Sequence, residues 1–233
     1  MSDVVTYEVQ GKVALITGST KGIGKSIAEE MANLGAKVVI SSRKADACSV
    51  VFDLVAGHVD LSIMGRPPPE LSARGEPFAA HPHVFVAATD HPLLKVGHPT
   101  VDSLKPYGFI LRERGSGTRA AMEKFLERTR MEPRVVMEMT SNETIKQAVM
   151  AGMGISFLSL HTLGLELEHQ LIATLDVEGG PVLRAWNLVH TLSKLLSPAA
   201  EAFRYFMLER AESFLADKYG ALLKLPPANT IST

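Results

Sequence analysis

Short, uninterrupted apolar runs that alternate with stretches of helical period constrain this chain more than any other feature. Residues 12–16 and Lys37–Ser41 read as buried strands, and residues 59–64, 84–88, 109–111, Arg134–Met139 and 155–158 continue the series of strands. Helical period fills the intervals: residues 23–34 stopped by Gly35, residues 45–56 stopped by Gly57, a segment running to about Arg130, and residues 140–151. Strands and helices in this order build a mostly parallel sheet covered by helices, so the fold class is α/β. "GRPPPE" at residues 65–70 breaks regular structure, because consecutive prolines can neither donate to a ladder nor continue a helix. Ser197-Pro198 supplies a cap and a first helical position, ahead of an apolar stripe of Ala202, Phe203, Phe206, Met207 and Phe214. The tail from Lys218 reads as frayed.

A chain of 233 residues suffices for one large domain or two small ones. With 24 basic against 25 acidic residues it has no global field to draw it to nucleic acid or an anionic membrane, so any anion site must be local. The single cysteine, Cys48, and the absence of an apolar secretory segment point to the cytoplasm, and no run approaches the roughly 20 apolar residues of a membrane span.

"TGSTKGIG", residues 17–24, joins the first strand to the first helix. Glycines 18, 22 and 24 permit a tight turn and a close approach of backbone to a pyrophosphate at the helix start. They also permit close strand-to-helix packing with nothing bound. From Gly11 to Cys48 the chain resembles the opening of short-chain dehydrogenases/reductases. The resemblance implies a dinucleotide site at Gly18, Ser19, Thr20, Lys21, Gly22, Ile23 and Gly24. Ser41-Ser42-Arg43 stands where an acidic residue would select NAD, so NADP is the cofactor implied, with Lys21 and Arg43 on its 2′-phosphate. The catalytic Tyr-x-x-x-Lys pair of that family is missing, since none of Tyr7, Tyr107, Tyr205 and Tyr219 has lysine four residues on. The reading is therefore not an enzyme, with a reductase as the weakest alternative.

A second resemblance covers most of the chain. "VFDLVAGHVDLSIMGRPP" (residues 51–68), "FILRERGSGTR" (109–119), "SNETIKQAVMAGMGISFLS" (141–159) and "LSPAAEAFRYFM" (196–207) are similar, in order, to the effector-binding domain of LysR-type transcriptional regulators, nearest to those of carbon-fixation operons. It implies two Rossmann-like lobes of type II periplasmic-binding-protein architecture with an effector cleft between them. Residues 1–83 and 187–233 would form lobe one and residues 84–186 lobe two. Because residues 8–48 stand where that family has its own first βαβ, the chain reads as a chimera, an engineered one, in which a dinucleotide-binding βαβ replaces the first βαβ of lobe one. The regulators' winged helix-turn-helix would come before the effector domain, whereas about ten residues come before the first strand here, so no specific DNA binding is expected. Pairing through lobe one, common in that family, would give a homodimer.

Two helix starts carry the binding expectation. Arg114, Ser116, Gly117, Thr118 and Arg119 surround one, with hydroxyls, free N–H groups and guanidinium groups suited to a small anionic ligand such as a phosphorylated metabolite. Ser141 and Asn142 belong to the other, where Thr140 and Glu143 have capping-box spacing. Plain capping explains the same residue types without a ligand. His81, His83, His91 and His98 form no compact ligand set and read as loop residues, so no metal is expected. Ser116 and Ser159 lack an identifiable histidine partner for nucleophilic chemistry.

Overall fold

The computed structural model describes residues 13–17, 37–41, 59–65, 67 and 72–220. The first loop with its proposed ligands Gly18, Ser19, Thr20, Lys21, Gly22, Ile23, Gly24 and Arg43, the helices expected at 23–34 and 45–56, most of the proline loop and the tail beyond 220 lie outside them.

The chain divides into two compact units, residues 1–79 with 185–218, and residues 80–184 with 219–233. In unit 1, β1 (Val13–Thr17) runs parallel to β2 (Lys37–Ser41), with Val13 opposite Lys37 and Thr17 opposite Ser41. β3 (Ser62–Met64) lies antiparallel to β9 (Val182–Thr191), Ser62 opposite Val189. Beside this pair Asn187 Nδ2 donates to Gly65 O at 2.6 Å and Lys194 meets Asp60 at 2.7 Å.

The helix expected after Ser197 is α4 (Pro198–Tyr219), and the Ala200 N–H donates to Ser197 Oγ at 3.2 Å, which satisfies one orphan donor of the first turn. Its buried side chains are Ala200, Met207 and Leu215, with Tyr219 at the end, whereas Phe214 is 45% exposed with the Lys218 ammonium over its ring. Of the expected stripe, Met207 is buried and Ala202, Phe203 and Phe206 are half-buried, and only Phe214 falls outside it. Arg204 holds the helix to β4 (Ala73–Ala87) through a two-pronged pair with Glu76, one contact at 2.6 Å, and also reaches Glu201 at 3.0 Å. The hydrogen bonds from Arg204 hold the Glu76 carboxyl below its ordinary range.

β4 is much longer than residues 84–88. Gly75, Pro77 and Pro82 hide its first half, and its ladder to β7 (Ile155–Ser159) begins only at His83, past the last proline. It begins in unit 1 and ends in unit 2; β9 makes the return.

Unit 2 is built on the strand order β8 (Ala173–Leu175), β4, β7, β5 (Gly108–Arg112), β6 (Arg134–Met139). β5 is parallel to both β6 and β7, and β4 is antiparallel to β7 and β8. Helix α1 (Gly117–Thr129) ends at Arg130 in the left-handed conformation, α2 (Asn142–Met150) follows β6, and the short α3 is Gly164–Glu168. The core gathers around Phe85, whose ring lies 5.0 Å from Phe157, 5.5 Å from Phe125 and 6.5 Å from Phe109. Sheet and helix are thereby locked together behind the start of α1. Lys146, 3% exposed, answers Glu166 at 2.7 Å, Glu143 at 3.0 Å and the Thr162 carbonyl at 3.1 Å, so its buried charge is paired.

Candidate functional site

The start of α1 in unit 2 brings together residues from widely separated parts of the sequence. Ser116 is the N-cap residue, in extended conformation, yet its side chain makes no capping bond. It is 8% exposed. Arg184, from β9, donates from Nη1 to the Gly117 carbonyl at 2.7 Å. A side chain at position 117 would meet that guanidinium at 3.3 Å, so glycine makes the close approach possible.

Thr118 Oγ1 lies 3.3 Å from His83 Nε2, and the other ring nitrogen of His83, Nδ1, lies 3.2 Å from the His81 carbonyl. A carbonyl only accepts, so Nδ1 carries the proton. Behind this pair His81 Nε2 is 2.8 Å from Ser159 Oγ. Aromatic rings continue from Phe157 through His83 (5.5 Å), His81 (4.3 Å) and His161 (5.9 Å) to Tyr219 (4.8 Å). All three histidines are kept neutral. Burial, then the Arg184 charge, pushes His83 down to about 4; burial alone takes His161 to about 4; His81 is lowered further by burial and by its two neighbours.

Arg112 ties the α1 loop to the start of α2. It grips Glu113 with two bonds of 2.8 Å and donates from Nη1 to Asn142 Oδ1 at 2.7 Å. Asn142 is thus engaged by Arg112. The cap of α2 is Ser141, one residue later than the capping box Thr140–Glu143 would require, and it too makes no side-chain capping bond. That box does not form: Glu143 lies inside the first turn, paired with Lys146.

Arg114 is exposed and makes no ion pair among the described residues. Arg119 is committed elsewhere, to Glu123 at 2.7 Å, to Glu138, and to the Arg112 carbonyl at 3.0 Å. Two carboxylates already neutralise it, which separates it from the α1 start that Ser116, Gly117 and Thr118 form.

Two expectations about histidine need correction. His81 and His83 are not loop residues: they are 5% and 0% exposed within β4. Their i, i+2 spacing in "HPHVFVA" was the available signal, since it puts both on one face of a strand. Ser159 does have a histidine partner, His81, but both are buried. His91 accepts from the Leu93 N–H at 3.3 Å, and His98 pairs with Asp176 at 3.0 Å. Among the described residues no group of three His, Cys, Asp or Glu side chains is placed to hold a metal ion, and no helix is long and apolar enough to cross a membrane. Nothing local pointed to Arg184 or His161.

This mixed α/β architecture is that of periplasmic-binding-protein-like effector domains. The regulatory domain of CcmR from Synechocystis, solved in complex with 2-PG, matches with a TM-score of 0.75 at 32% identity, over 85% of this chain and 95% of that one. The effector-binding domain of QuiR, solved with shikimate, shares the fold with a TM-score of 0.69 at 18% identity, over 85% and 95%. Residues 32–212 match the LysR substrate binding domain family, and the chain belongs to that family.

The HTH-type transcriptional regulator CfxR of Cupriavidus necator is 52% identical over 165 residues, covering 71% of this chain and 52% of CfxR. The RuBisCO operon transcriptional regulator of Allochromatium vinosum is 44% identical over 178 residues, covering 76% and 58%. The chain spans about half the length of these curated relatives. The family is one of ligand-sensing regulatory domains, not of enzymes. Its match starts at residue 32, inside the segment 8–48 that was expected to derive from a dehydrogenase, so β2 falls within the effector-domain family.

Proposed function

We propose that this chain is the effector-sensing part of a LysR-type regulator of the carbon-fixation-operon kind, and that it holds a small phosphorylated or carboxylated anion at the start of α1. The observation that carries the reading is Ser116, a helix-cap hydroxyl that is nearly buried yet spends nothing on its own helix, next to the Gly117 and Thr118 N–H groups and the Arg184 guanidinium. Helix dipole, hydroxyl and cation supply the local positive potential that a chain of net charge −1 lacks overall. Ser141 and Asn142, reached through Arg112, extend the site, and Arg114 at its rim steers the anion inward. The 2-PG of the CcmR structure is the first ligand to try. In this reading residues 1–83 with 187–233 and residues 84–186 are the two lobes, DNA binding belongs to the whole regulator, and the effector domain pairs as a homodimer.

A second reading keeps residues 8–48 as a transplanted dinucleotide-binding βαβ in an engineered chimera, with NADP on Gly18–Gly24, Lys21 and Arg43. The parallel register of β1 and β2 is compatible with it, as it is with the first βαβ of the LysR-type family itself. Calorimetry with 2-PG, inorganic phosphate and NADP, on the parent and on Ser116→Ala and Gly22→Asp, separates the two. Loss of one charge-assisted hydrogen bond, about 1.5 kcal/mol, should weaken 2-PG or phosphate roughly tenfold in Ser116→Ala and leave it unchanged in Gly22→Asp. NADP heat that vanishes only in Gly22→Asp would establish the second reading instead.

A further inference from the structure

Thr118 has one hydroxyl proton, and its neighbour determines where that proton goes. His83 donates from Nδ1 to the His81 carbonyl at 3.2 Å, which leaves Nε2, 3.3 Å from Thr118 Oγ1, as a bare lone pair as long as the ring is neutral. The surroundings keep it neutral. His83 is 0% exposed, and the titratable or charged groups around it, His81 on its own strand, His161 beyond it and Arg184 from β9, offer no negative charge to support an imidazolium. Thr118 must therefore donate to His83, and towards a ligand its oxygen can only accept. A bare carboxylate or phosphate oxygen is repelled at that point. The helix N–H groups and the Ser116 hydroxyl, which has no hydrogen-bond partner among the described residues, remain as donors.

We infer that the effector is an anion that also carries a hydroxyl group: its charged oxygens lie on the α1 start and Ser116, and its hydroxyl donates to Thr118 Oγ1. His83 is then a positioning residue that sets the polarity of Thr118 and so selects hydroxylated anions over their deoxy counterparts. The inference rests on the reading that an anion binds at the start of α1.

The test compares 3-phosphoglycerate with 3-phosphooxypropionate, which differs only by lacking the hydroxyl, in calorimetry at pH 7.5 on the parent, Thr118→Val and His83→Phe. A site that hydrogen-bonds a ligand hydroxyl disfavours the analogue without one, so the parent should prefer 3-phosphoglycerate by roughly tenfold or more. Thr118→Val should bring the two affinities within about twofold of each other. His83→Phe, which keeps a ring on Phe157 and releases the Thr118 proton, should improve binding of the deoxy compound. Melting curves establish that the variants are folded. Equal affinities in the parent, or a preference that survives Thr118→Val, overturn the inference and leave the anion site standing. Absence of heat from both compounds, from 2-PG and from inorganic phosphate overturns the anion site and this inference with it.

Discussion

Beside His81, which burial lowers further still, His83 and His161 make the stability of the fold sensitive to acid. Each has an ordinary value of 6.5 that burial lowers to about 4. The unfolded chain therefore binds more protons than the folded one between those values, so the stability contributed is full above pH 6.5 and is lost as pH falls toward 4. Each histidine contributes up to about 3 kcal/mol across that window. The melting temperature should drop steadily from pH 7 to pH 5, and His83→Phe should make the slope shallower. A melting temperature flat over that range would mean that the folded cluster takes up protons as readily as the unfolded chain. The paired histidines were visible in "HPHVFVA", yet they read as loop residues because they form no compact ligand set, whereas the strand around them runs on to Ala87.

β5 and β7 approach each other through glycines. A methyl group on Gly154 would sit 2.5 Å from the Gly108 carbonyl oxygen, and one on Gly108 would sit 2.7 Å from a Val136 methyl group. Gly154 faces a backbone atom that has no rotamer by which to yield, so Gly154→Ala must move β7 against a strand with which it shares the core. Overpacking of this kind costs about 1–3 kcal/mol, and urea unfolding should show a lower midpoint with an unchanged slope. An unchanged midpoint would show that the two strands can part freely. β6 and β7 were legible because apolar residues dominate them, Val135, Val136 and Met137 in the one and Ile155, Phe157 and Leu158 in the other, and α1 because Ser116 and Arg130 mark its ends. β4 was legible only where valine and phenylalanine cluster; its glycine and prolines carry the opposite local signal.

The chain passes between its two units at residues 79–80 and 184–185, each time within a continuous strand, and at 218–219, within the last turn of α4. Neither strand passage offers a flexible linker at which one unit could unfold while leaving the other's strands whole. Calorimetry should thus record a single transition whose calorimetric and van't Hoff enthalpies agree, and two resolved transitions would refute this coupling. Period, caps and apolar runs established the α/β class and most strand and helix positions in the second unit, and they singled out the glycine-rich start of α1, the place where an anion is proposed to bind. These signals act over a few residues, within the reach of one turn or one pleat. What surrounds that helix start followed from sheet register instead. Arg184 meets Gly117 across 67 positions, His83 meets Thr118 across 35, and His81 meets Ser159 across 78. No local pattern encodes such distances, because the partner of a buried polar group is chosen by which strands pair and which helix lies over them.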